Sequence, residues 1–303
     1  MQGLPAVTGT PEGQPQGPAR RGDGARNREP GLVRLIFTDL DGTLLDHHTY
    51  SAEPAREALE ACRVAGVPVV PCSSKTFAEM RALARALALA PAPLLVENGS
   101  MVWFPRDWPA VPTAALPTDD GWQVVLGTRA DLLRDVLERV AATVGGRLRP
   151  IADMPVEEVV SRTGLSPATA ALAMAREFSQ PFLVDGDDPP LSVLDAAARV
   201  HGARVTRGGR FFHLLGPTDK GAAVAVVRAT CPAGHRALGL GDAPNDLPLL
   251  QAVDDPAVVP QPDSGLHPAL VQALTSSVHA PCAGPAGWSA VVLDWLARTG
   301  PSA

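Results

Sequence analysis

The segment Leu35–Asp46 reads LIFTDLDGTLLD, and it contains the most informative pattern of the 303-residue chain. Its first three residues, Leu35, Ile36 and Phe37, are apolar and predict a short buried strand that runs directly into an acidic stretch. Because alternate residues of an extended segment point to the same side, we expect Asp39 and Asp41 to share one space at the strand's carboxyl end. Two carboxylates that close repel unless a hard cation or a shared proton compensates. The pair suits phosphoryl transfer, in which one carboxylate attacks, the other handles a proton and a metal neutralises the phosphate.

Two other interpretations of this segment compete with phosphoryl transfer. A calcium loop needs further acidic ligands at alternate positions and a Glu at its end, and the segment has neither. An ordinary exit from a strand with two solvated aspartates is the other alternative, since Asp and Gly are common turn residues. The motifs that follow in the chain therefore decide how the acidic pair is interpreted.

The composition limits the classes of partner. There are 26 Lys and Arg residues against 32 Asp and Glu residues, a formal net charge of −6, so a nucleic acid is not an expected partner. The sequence contains no run of 18 or more uncharged apolar residues, so no membrane span is expected. The four cysteines lack C-x-x-C spacing, which favours free thiols and a cytoplasmic protein. The first 30 residues are rich in Gly and Pro, and we expect them to form a disordered tail without chemistry.

Strand-like and helix-like segments alternate from residue 32 onward. The predicted elements after the first strand are a helix at 52–65, a strand at 67–71, a helix at 77–90 and a strand at 94–96. This β-α-β-α-β order implies a parallel sheet with right-handed crossovers, on which ligands bind beyond the carboxyl ends of the strands. Ser73 and Asn98 follow the second and third strands as Asp39 follows the first, so the three are expected at one edge.

The pattern changes after about Met101. Aromatic residues interleaved with prolines up to about residue 122 indicate a crossing between domains. Helices are predicted at 129–144, 166–176 and 192–201, and a hairpin at 205–215 that turns at Gly208-Gly209. The first pattern returns at Lys220, followed by a helix and a strand at 237–240. We therefore expect a core domain formed by 31–102 and 216–303, with an insert at 103–215.

Two further motifs carry groups suited to phosphate and metal. Lys220 stands at the start of an apolar helix, where the helix dipole disfavours a cation unless an anion such as phosphate is bound there. The alternative is a solvated lysine in a turn. The segment Gly239–Asp246 reads GLGDAPND, and Asp242 and Asp246 are placed to complete a carboxylate ring around Mg²⁺, with an Asx-type turn as the alternative. The Ser73 hydroxyl suits a phosphate oxygen, although serine at a helix start is often only a cap.

Together, DLDGT, the hydroxyl at the second strand end, DKG and GDAPND resemble the four motifs of the haloacid dehalogenase superfamily of phosphotransferases. The resemblance implies an α/β fold, with a Rossmann-like parallel-sheet core and an inserted α+β cap domain. The interval from Asp39 to Ser73 is too short for a cap, whereas that from Ser73 to Lys220 is long enough. The cap is therefore expected between the second and third motifs, where it supplies substrate contacts and excludes water.

The resemblance also implies roles for the motif residues. Asp39 is the expected nucleophile, which forms an aspartyl-phosphate, and Asp41 protonates the leaving oxygen and then activates water. Ser73 and Lys220 are expected to hold the phosphate. The implied cofactor is Mg²⁺, with ligands expected from Asp39, Asp41 through its backbone carbonyl, Asp242 and Asp246.

A closer resemblance covers about residues 32–255 and concerns the branch of the superfamily that acts on mannosyl-3-phosphoglycerate. It is carried by the segments CSSKT at 72–76, VENGS at 96–100, AREFSQPF at 175–182, GGRFFHLLG at 208–216 and GLGDAPNDLPLL at 239–250. It implies a phosphorylated sugar or glycosyl phosphoglycerate as the small-molecule partner. The substrate contacts expected from it are Ser74, Lys75, Asn98, Arg176, Glu177, Ser179 and Arg210.

Several alternatives to this activity stay open on the sequence. A glucosyl-3-phosphoglycerate or sucrose-phosphate phosphatase would use the same chemistry, and a phosphohexomutase would return the phosphate to a second sugar hydroxyl. A non-catalytic phosphosugar-binding protein is a different class. The retention of Asp39, Asp41, Lys220 and Asp242 argues against it, because a binder has no need of a nucleophile. The sequence gives no indication of an oligomeric state.

Overall fold

The computed structural model describes residues 33–89, 91–208 and 211–300. Its strands are β1 (Arg34–Thr38), β2 (Val69–Pro71), β3 (Leu94–Val96), β4 (Met101–Pro105), β5 (Leu116–Thr118), β6 (Gly121–Val125), β7 (Arg147–Pro150), β8 (Ser179–Asp185), β9 (Arg204–Gly208), β10 (Phe211–Leu215), β11 (Arg236–Gly241), β12 (Asp255–Val258) and β13 (Val278–His279). Its helices are α1 (Arg56–Val64), α2 (Phe77–Ala86), α3 (Ala130–Val144), α4 (Val156–Thr163), α5 (Pro167–Met174), α6 (Leu191–Arg199), α7 (Lys220–Arg228), α8 (Leu247–Gln251), α9 (Pro268–Ala273) and α10 (Gly284–Thr299).

The central sheet is parallel, as the alternation of strands and helices predicts. The third predicted strand, at 94–96, lies instead in a second sheet and meets the central one through an isolated parallel bridge. Its strand order is β13-β12-β11-β1-β2, with β1 between β11 and β2. Phe37 of β1 is in register with Gly239 on one side and Val70 on the other. All five carboxyl ends therefore lie at the same edge, where the segments that carry the acidic motifs leave the sheet.

Both faces of this sheet are covered, because residues of β1 alternate between two apolar clusters. Ile36 packs in one cluster with Trp288 and Trp295 of α10, and Phe37 packs in the other with Val224 of α7. Both tryptophan rings and both β1 side chains are fully buried. Burial of a large apolar side chain stabilises a fold by about 1.5–3 kcal/mol, so β1 is firmly held at the centre.

The second sheet is antiparallel and has the strand order β3-β4-β6-β5. It adjoins the central sheet through a bridge between Cys72 and Leu95. The aromatic and proline-rich stretch, for which a crossing between domains is expected, forms most of this sheet. Phe104 and Val124 are buried in the same apolar cluster as Val224 of α7. This stretch therefore packs as part of the core.

The third sheet, β7-β8-β10-β9, is antiparallel and belongs to the inserted segment. The helices α3 and α6 pack on it through one apolar cluster, and α4 and α5 contribute to another. The predicted hairpin is confirmed as β9 paired with β10, and its turn residues 209 and 210 lie outside the described residues. The inserted segment thus has an α+β composition, as expected.

The buried residues of these two clusters lie between Leu133 and Leu214. The Gly127 backbone N–H still donates to the Ser100 carbonyl of the core, at 2.8 Å. We therefore propose that the inserted cap runs from about Gly127 to Gly216, with its start later than the expected residue 103. The tail expected at 1–30 lies outside the described residues. Within the described ranges, the helices are too short or too polar to cross a bilayer.

Candidate active site

The loop after β1 places its first residue, Asp39, next to the end of β11. The Asp39 N–H donates to the Leu240 carbonyl at 2.9 Å, and the Asp39 residue is only 7% exposed. Gly42 adopts φ +87, and a Cβ at this position would lie 3.1 Å from an Asp242 carboxylate oxygen. A side chain here would therefore be strained and crowded. Thr43 donates its hydroxyl to the same Asp242 carboxylate at 3.1 Å, which joins the first motif to the last.

Lys220 supplies the positive charge of this site. It is the first residue of α7, whose N-cap is Asp219, and its side chain is 1% exposed. The ammonium Nζ lies 2.6 Å from Asp39 Oδ1 and 2.5 Å from Asp246 Oδ1. Burial by itself lowers the pKa of Lys220, but the carboxylates of Asp246 and Asp39 outweigh burial and hold it well above its usual value. Lys220 is therefore a buried, charged ammonium.

The loop after β11 places two more carboxylates beside Asp39. Asp246 Oδ2 accepts the backbone N–H groups of Asp242 and Ala243 at 3.1 and 3.0 Å, which fixes the loop. A Cβ at Gly241 would lie 2.5 Å from the Asp246 Cβ, so this close approach requires glycine. Ligand atoms of Asp39, Asp242 and Asp246 all lie within 4.8 Å of one another. All three residues are buried.

The charges of this cluster do not balance. Three carboxylates surround one ammonium, and burial followed by repulsion from Asp246 raises the pKa of Asp39 well above its ordinary value. Burial and Asp246 likewise raise the pKa of Asp242 from 3.8 to about 7. An excess of negative charge in a buried, all-oxygen donor set fits a hard divalent cation such as Mg²⁺. Asp39, Asp242 and Asp246 are the residues that would hold it.

Asp41 lies apart from the three-carboxylate cluster, on the side of Lys75. Its Oδ2 accepts from Lys75 Nζ at 2.8 Å, whereas its Oδ1 is buried without a hydrogen-bond partner. The same ammonium lies 5.3 Å above the ring of Tyr50. One Asp41 oxygen is thus oriented by an ion pair, and the other is available for proton exchange with a bound molecule.

The ends of β2 and β3 converge on the end of β1, as the sequence predicts. The Cys72 N–H donates to the Thr38 carbonyl at 2.8 Å, which places Ser73 beside Asp39 in the sheet order. Ser73 is 1% exposed, and its Oγ accepts the Lys75 N–H at 3.3 Å. Asn98 donates its backbone N–H to the Ser73 carbonyl at 2.9 Å, and its side-chain Oδ1 is buried without a partner.

The expected substrate contacts of the cap are in part engaged with the core. The Arg176 guanidinium donates to the Ser74 carbonyl at 2.5 Å, and the Ser179 hydroxyl donates to the Glu97 carboxylate. The Glu177 residue is exposed, and its backbone N–H donates to Glu97 at 2.9 Å. Arg210 lies outside the described residues. The cap segment around Arg176 therefore joins the core next to Ser73.

Sequence reasoning missed two residues that the structure brings to this site. Gln261 donates its side-chain N–H to Asp242 Oδ2 at 3.2 Å, and it follows β12, another strand that ends at the same edge. Glu97 directly follows β3 and is 1% exposed, whereas Asn98 is the residue of VENGS that the sequence indicates. Only Glu97 had a signal in the sequence, namely a polar residue directly beyond an apolar strand, whereas Gln261 lies three residues past the end of β12.

Comparison with known proteins shows which family this chain resembles. Residues 36–119 match the model of the haloacid dehalogenase-like hydrolase family. A protein of Methanococcoides burtonii named glucosyl-3-phosphoglycerate/mannosyl-3-phosphoglycerate phosphatase is 34% identical over 271 residues, 88% of this chain and 98% of the relative. A protein of Persephonella marina with the same name is 36% identical over 231 residues, 75% of this chain and 84% of the relative.

Solved structures share the fold. A crystal structure from Thermoplasma acidophilum gives a TM-score of 0.61 at 18% identity and covers 88% of this chain and 98% of its own. The sucrose-phosphatase of Synechocystis, in complex with sucrose and phosphate, gives 0.56 at 16% identity with the same coverage. The fold, the acidic site and the relatives together define a phosphoric monoester hydrolase. The chain belongs to the haloacid dehalogenase-like hydrolase family.

Proposed function

We propose that this protein is a Mg²⁺-dependent phosphatase that hydrolyses mannosyl-3-phosphoglycerate and glucosyl-3-phosphoglycerate through an aspartyl-phosphate on Asp39. The observation that carries the proposal is the contact of Asp39 with the Lys220 ammonium, beside the carboxylates of Asp242 and Asp246. Two relatives that align over most of this chain carry both substrates in their names, which supports the choice of substrate.

The first half of the proposed reaction transfers phosphorus to the enzyme. An Asp39 oxygen forms a bond to phosphorus as the bond from phosphorus to the glycerate oxygen breaks, and Asp41 gives that oxygen a proton. Lys220 binds the phosphate oxygens and neutralises charge as Asp39 attacks. The Ser73 hydroxyl, at the next strand end, is a further donor to the phosphate.

The second half returns Asp39 to its starting state. Asp41, now a carboxylate, takes a proton from water, whose oxygen attacks phosphorus and displaces the Asp39 carboxylate as inorganic phosphate forms. The free Asp41 Oδ1 is consistent with this exchange of protons, because Lys75 engages only the other oxygen. Bound Mg²⁺ would supply the positive charge that favours ionised Asp39 and neutralises the phosphate.

The proposed substrate contacts divide into two groups. Lys75 and Asn98 lie next to Asp41 and Ser73, so they are suited to the glycerate end, where an ammonium pairs with a carboxylate. Arg176 and Ser179 are bonded to the core, so we assign them to the placement of the cap. Glu177 has an exposed side chain, which stays a candidate for sugar hydroxyls.

The proposal is tested by phosphate release from a panel of esters, with Mg²⁺ and with EDTA. The panel contains mannosyl- and glucosyl-3-phosphoglycerate, sucrose 6-phosphate and a hexose 1-phosphate. We expect the highest kcat/KM on the two glycosyl phosphoglycerates, loss of turnover in EDTA and recovery when Mg²⁺ is restored. Preference for sucrose 6-phosphate, formation of hexose 6-phosphate, or binding without phosphate release would each replace the proposed activity with an alternative.

Two Asp→Asn variants separate the nucleophile from general effects of the substitution. Asp39→Asn should abolish turnover while circular dichroism shows an unchanged fold, because an amide does not attack phosphorus. Asp135→Asn is the matched control, since Asp135 is exposed on α3. It should keep wild-type turnover. Near-normal phosphate release by Asp39→Asn would remove Asp39 from the role of nucleophile.

A further inference from the structure

Glu97 is an unusual residue for its position at the end of β3. Its side chain is 1% exposed, and its backbone has φ +47, in the left-handed region that favours glycine. Burying a carboxylate and holding such a backbone both cost free energy, which specific contacts must offset. Neither cost is explained by the phosphoryl-transfer chemistry, because Glu97 is not part of the three-carboxylate cluster.

The contacts that offset this cost come from one short segment of the cap. Glu97 Oε1 accepts the Glu177 N–H at 2.9 Å, and Oε2 accepts the Phe178 N–H at 3.2 Å and the Ser179 hydroxyl. Three donors on consecutive residues thus converge on one carboxylate. Burial raises the pKa of Glu97, although Arg176 and these donors oppose that rise. Hydrogen bonds to a charged acceptor are stronger than neutral ones.

Glu97 also connects this cap segment to the loop that contains Ser73. Its backbone N–H donates to the Lys75 carbonyl at 3.0 Å. Two further contacts join the same pieces of chain: Arg176 to the Ser74 carbonyl at 2.5 Å, and the Thr76 hydroxyl to the Leu172 carbonyl at 3.0 Å. The cap segment is therefore fixed directly against the loop proposed to bind the phosphate.

We propose that Glu97 is a positioning residue, which sets the cap segment 177–179 at a fixed distance from the phosphate-binding loop and thereby determines recognition of the sugar part of the substrate. The inference rests on the proposed function for the identity of the substrate. A substrate that spans the core and the cap needs this spacing, whereas a small phosphomonoester contacts only the core. Loss of Glu97 should therefore affect the two kinds of substrate differently.

The test compares Glu97→Gln with wild type on mannosyl-3-phosphoglycerate and on p-nitrophenyl phosphate. A carboxamide keeps one acceptor oxygen and points an NH₂ group at the cap donors, so the segment loses its fixed position. We expect KM for the glycosyl phosphoglycerate to rise at least about tenfold, with kcat/KM for p-nitrophenyl phosphate within about threefold of wild type. Equal losses on both substrates, or no loss on either, would overturn the proposal.

Ser179→Ala tests the same contact from the cap side and is a safer variant for folding. It removes one of three donors, so a rise in KM of about threefold is expected on the large substrate alone. The double variant with Glu97→Gln should be little worse than Glu97→Gln alone, because both act through one contact. Additive effects would mean that Ser179 contacts the substrate directly, which contradicts the inference.

Asp255→Asn is a control for the loss of a hydrogen-bonded carboxylate away from the cap segment. Asp255 is the first residue of β12, where it accepts from the Arg236 guanidinium and from the Trp295 indole N–H at 2.7 Å, and it makes none of the hydrogen bonds to 177–179. Its substitution should lower the melting temperature without a selective rise in KM. If the wild-type protein hydrolyses a different sugar phosphate, the proposed substrate is wrong. Glu97→Gln is then compared with wild type on that sugar phosphate and on p-nitrophenyl phosphate.

Discussion

Replacement of Lys220 by Met is expected to destabilise the metal-free protein by about 3–5 kcal/mol. The ammonium lies 2.6 Å from Asp39 and 2.5 Å from Asp246, and it is 1% exposed. At an effective dielectric constant of about 20, each contact is worth about 6 kcal/mol of Coulomb energy before the cost of removing the ions from water. That cost offsets most of the attraction, but removal of one partner leaves the other charges buried and unpaired, which accounts for the net loss.

The assay is urea unfolding in EDTA, with Lys75→Met as the matched control. Lys75 also pairs with one carboxylate near the site, at 2.8 Å, but the Lys75 and Asp41 side chains are 16% and 37% exposed, against 1% for Lys220. Its substitution should cost about 1 kcal/mol or less, because solvent screens the pair. Mg²⁺ should stabilise Lys220→Met more than wild type, since the cation then meets three carboxylates without a competing ammonium.

A second substitution distinguishes charge from packing. Adding Asp246→Asn to Lys220→Met removes one of the unpaired charges, so the double variant should regain at least about 1 kcal/mol in EDTA. A loss for Lys220→Met no larger than that for Lys75→Met, or no recovery in the double variant, would refute the electrostatic account of this site.

Three more predictions concern the loop after β1, the thiols and the pH dependence. Gly42→Ala should lower the free energy of unfolding by about 1–2 kcal/mol and weaken Mg²⁺ binding, because the residue has φ +87 and a Cβ here would approach Asp242. Urea unfolding measures the first effect and calorimetry the second. Cys72 is buried and burial raises the pKa of its thiol, so Ellman's reagent should modify exposed Cys282 in the native protein and reach Cys72 only after unfolding. In EDTA, the pKa of Asp242 in the folded state is raised from 3.8 to about 7. The stability that this carboxyl contributes is therefore present below pH 3.8 and is lost as the pH rises through about 7, a change of up to about 4 kcal/mol. Asp242→Asn should remove this pH dependence.

Each of these predictions has a contradicting result. Unchanged stability of Gly42→Ala would mean that the loop adjusts without strain. Rapid modification of Cys72 in the folded protein would mean that the end of β2 opens to solvent. Equal pH dependence of wild type and Asp242→Asn in EDTA would remove that carboxyl as the source of the effect.

The sequence predicted the convergence of the site because each group follows a parallel strand. Asp39 and Asp242 directly follow β1 and β11, Ser73 lies two residues past the end of β2, and strand ends of one parallel sheet share an edge. Lys220 is different, because it lies at a helix start. Its two carboxylate contacts depend on the packing of α7 against the sheet, which the motif alone does not give.

The remaining parts depend on tertiary contacts that leave no pattern in the sequence. Glu97 binds backbone N–H groups of the cap, and any sequence at 177–178 other than proline supplies such groups. Gln261 follows β12, whose short sequence has no distinctive alternation. The interleaved aromatic residues and prolines at 103–122 predict a crossing between domains, yet Trp103 and Phe104 are buried in β4.

The most direct test of the account is to trap the phosphorylated enzyme. Wild type and Asp41→Asn are mixed with mannosyl-3-phosphoglycerate and Mg²⁺, quenched in acid, reduced with borohydride and mapped by mass spectrometry. Borohydride reduces an acyl phosphate to an alcohol, so the account predicts homoserine at position 39, with more in Asp41→Asn because its acyl phosphate lacks a base for hydrolysis. Phosphate release with Asp39 unmodified and homoserine at another carboxylate would contradict the account.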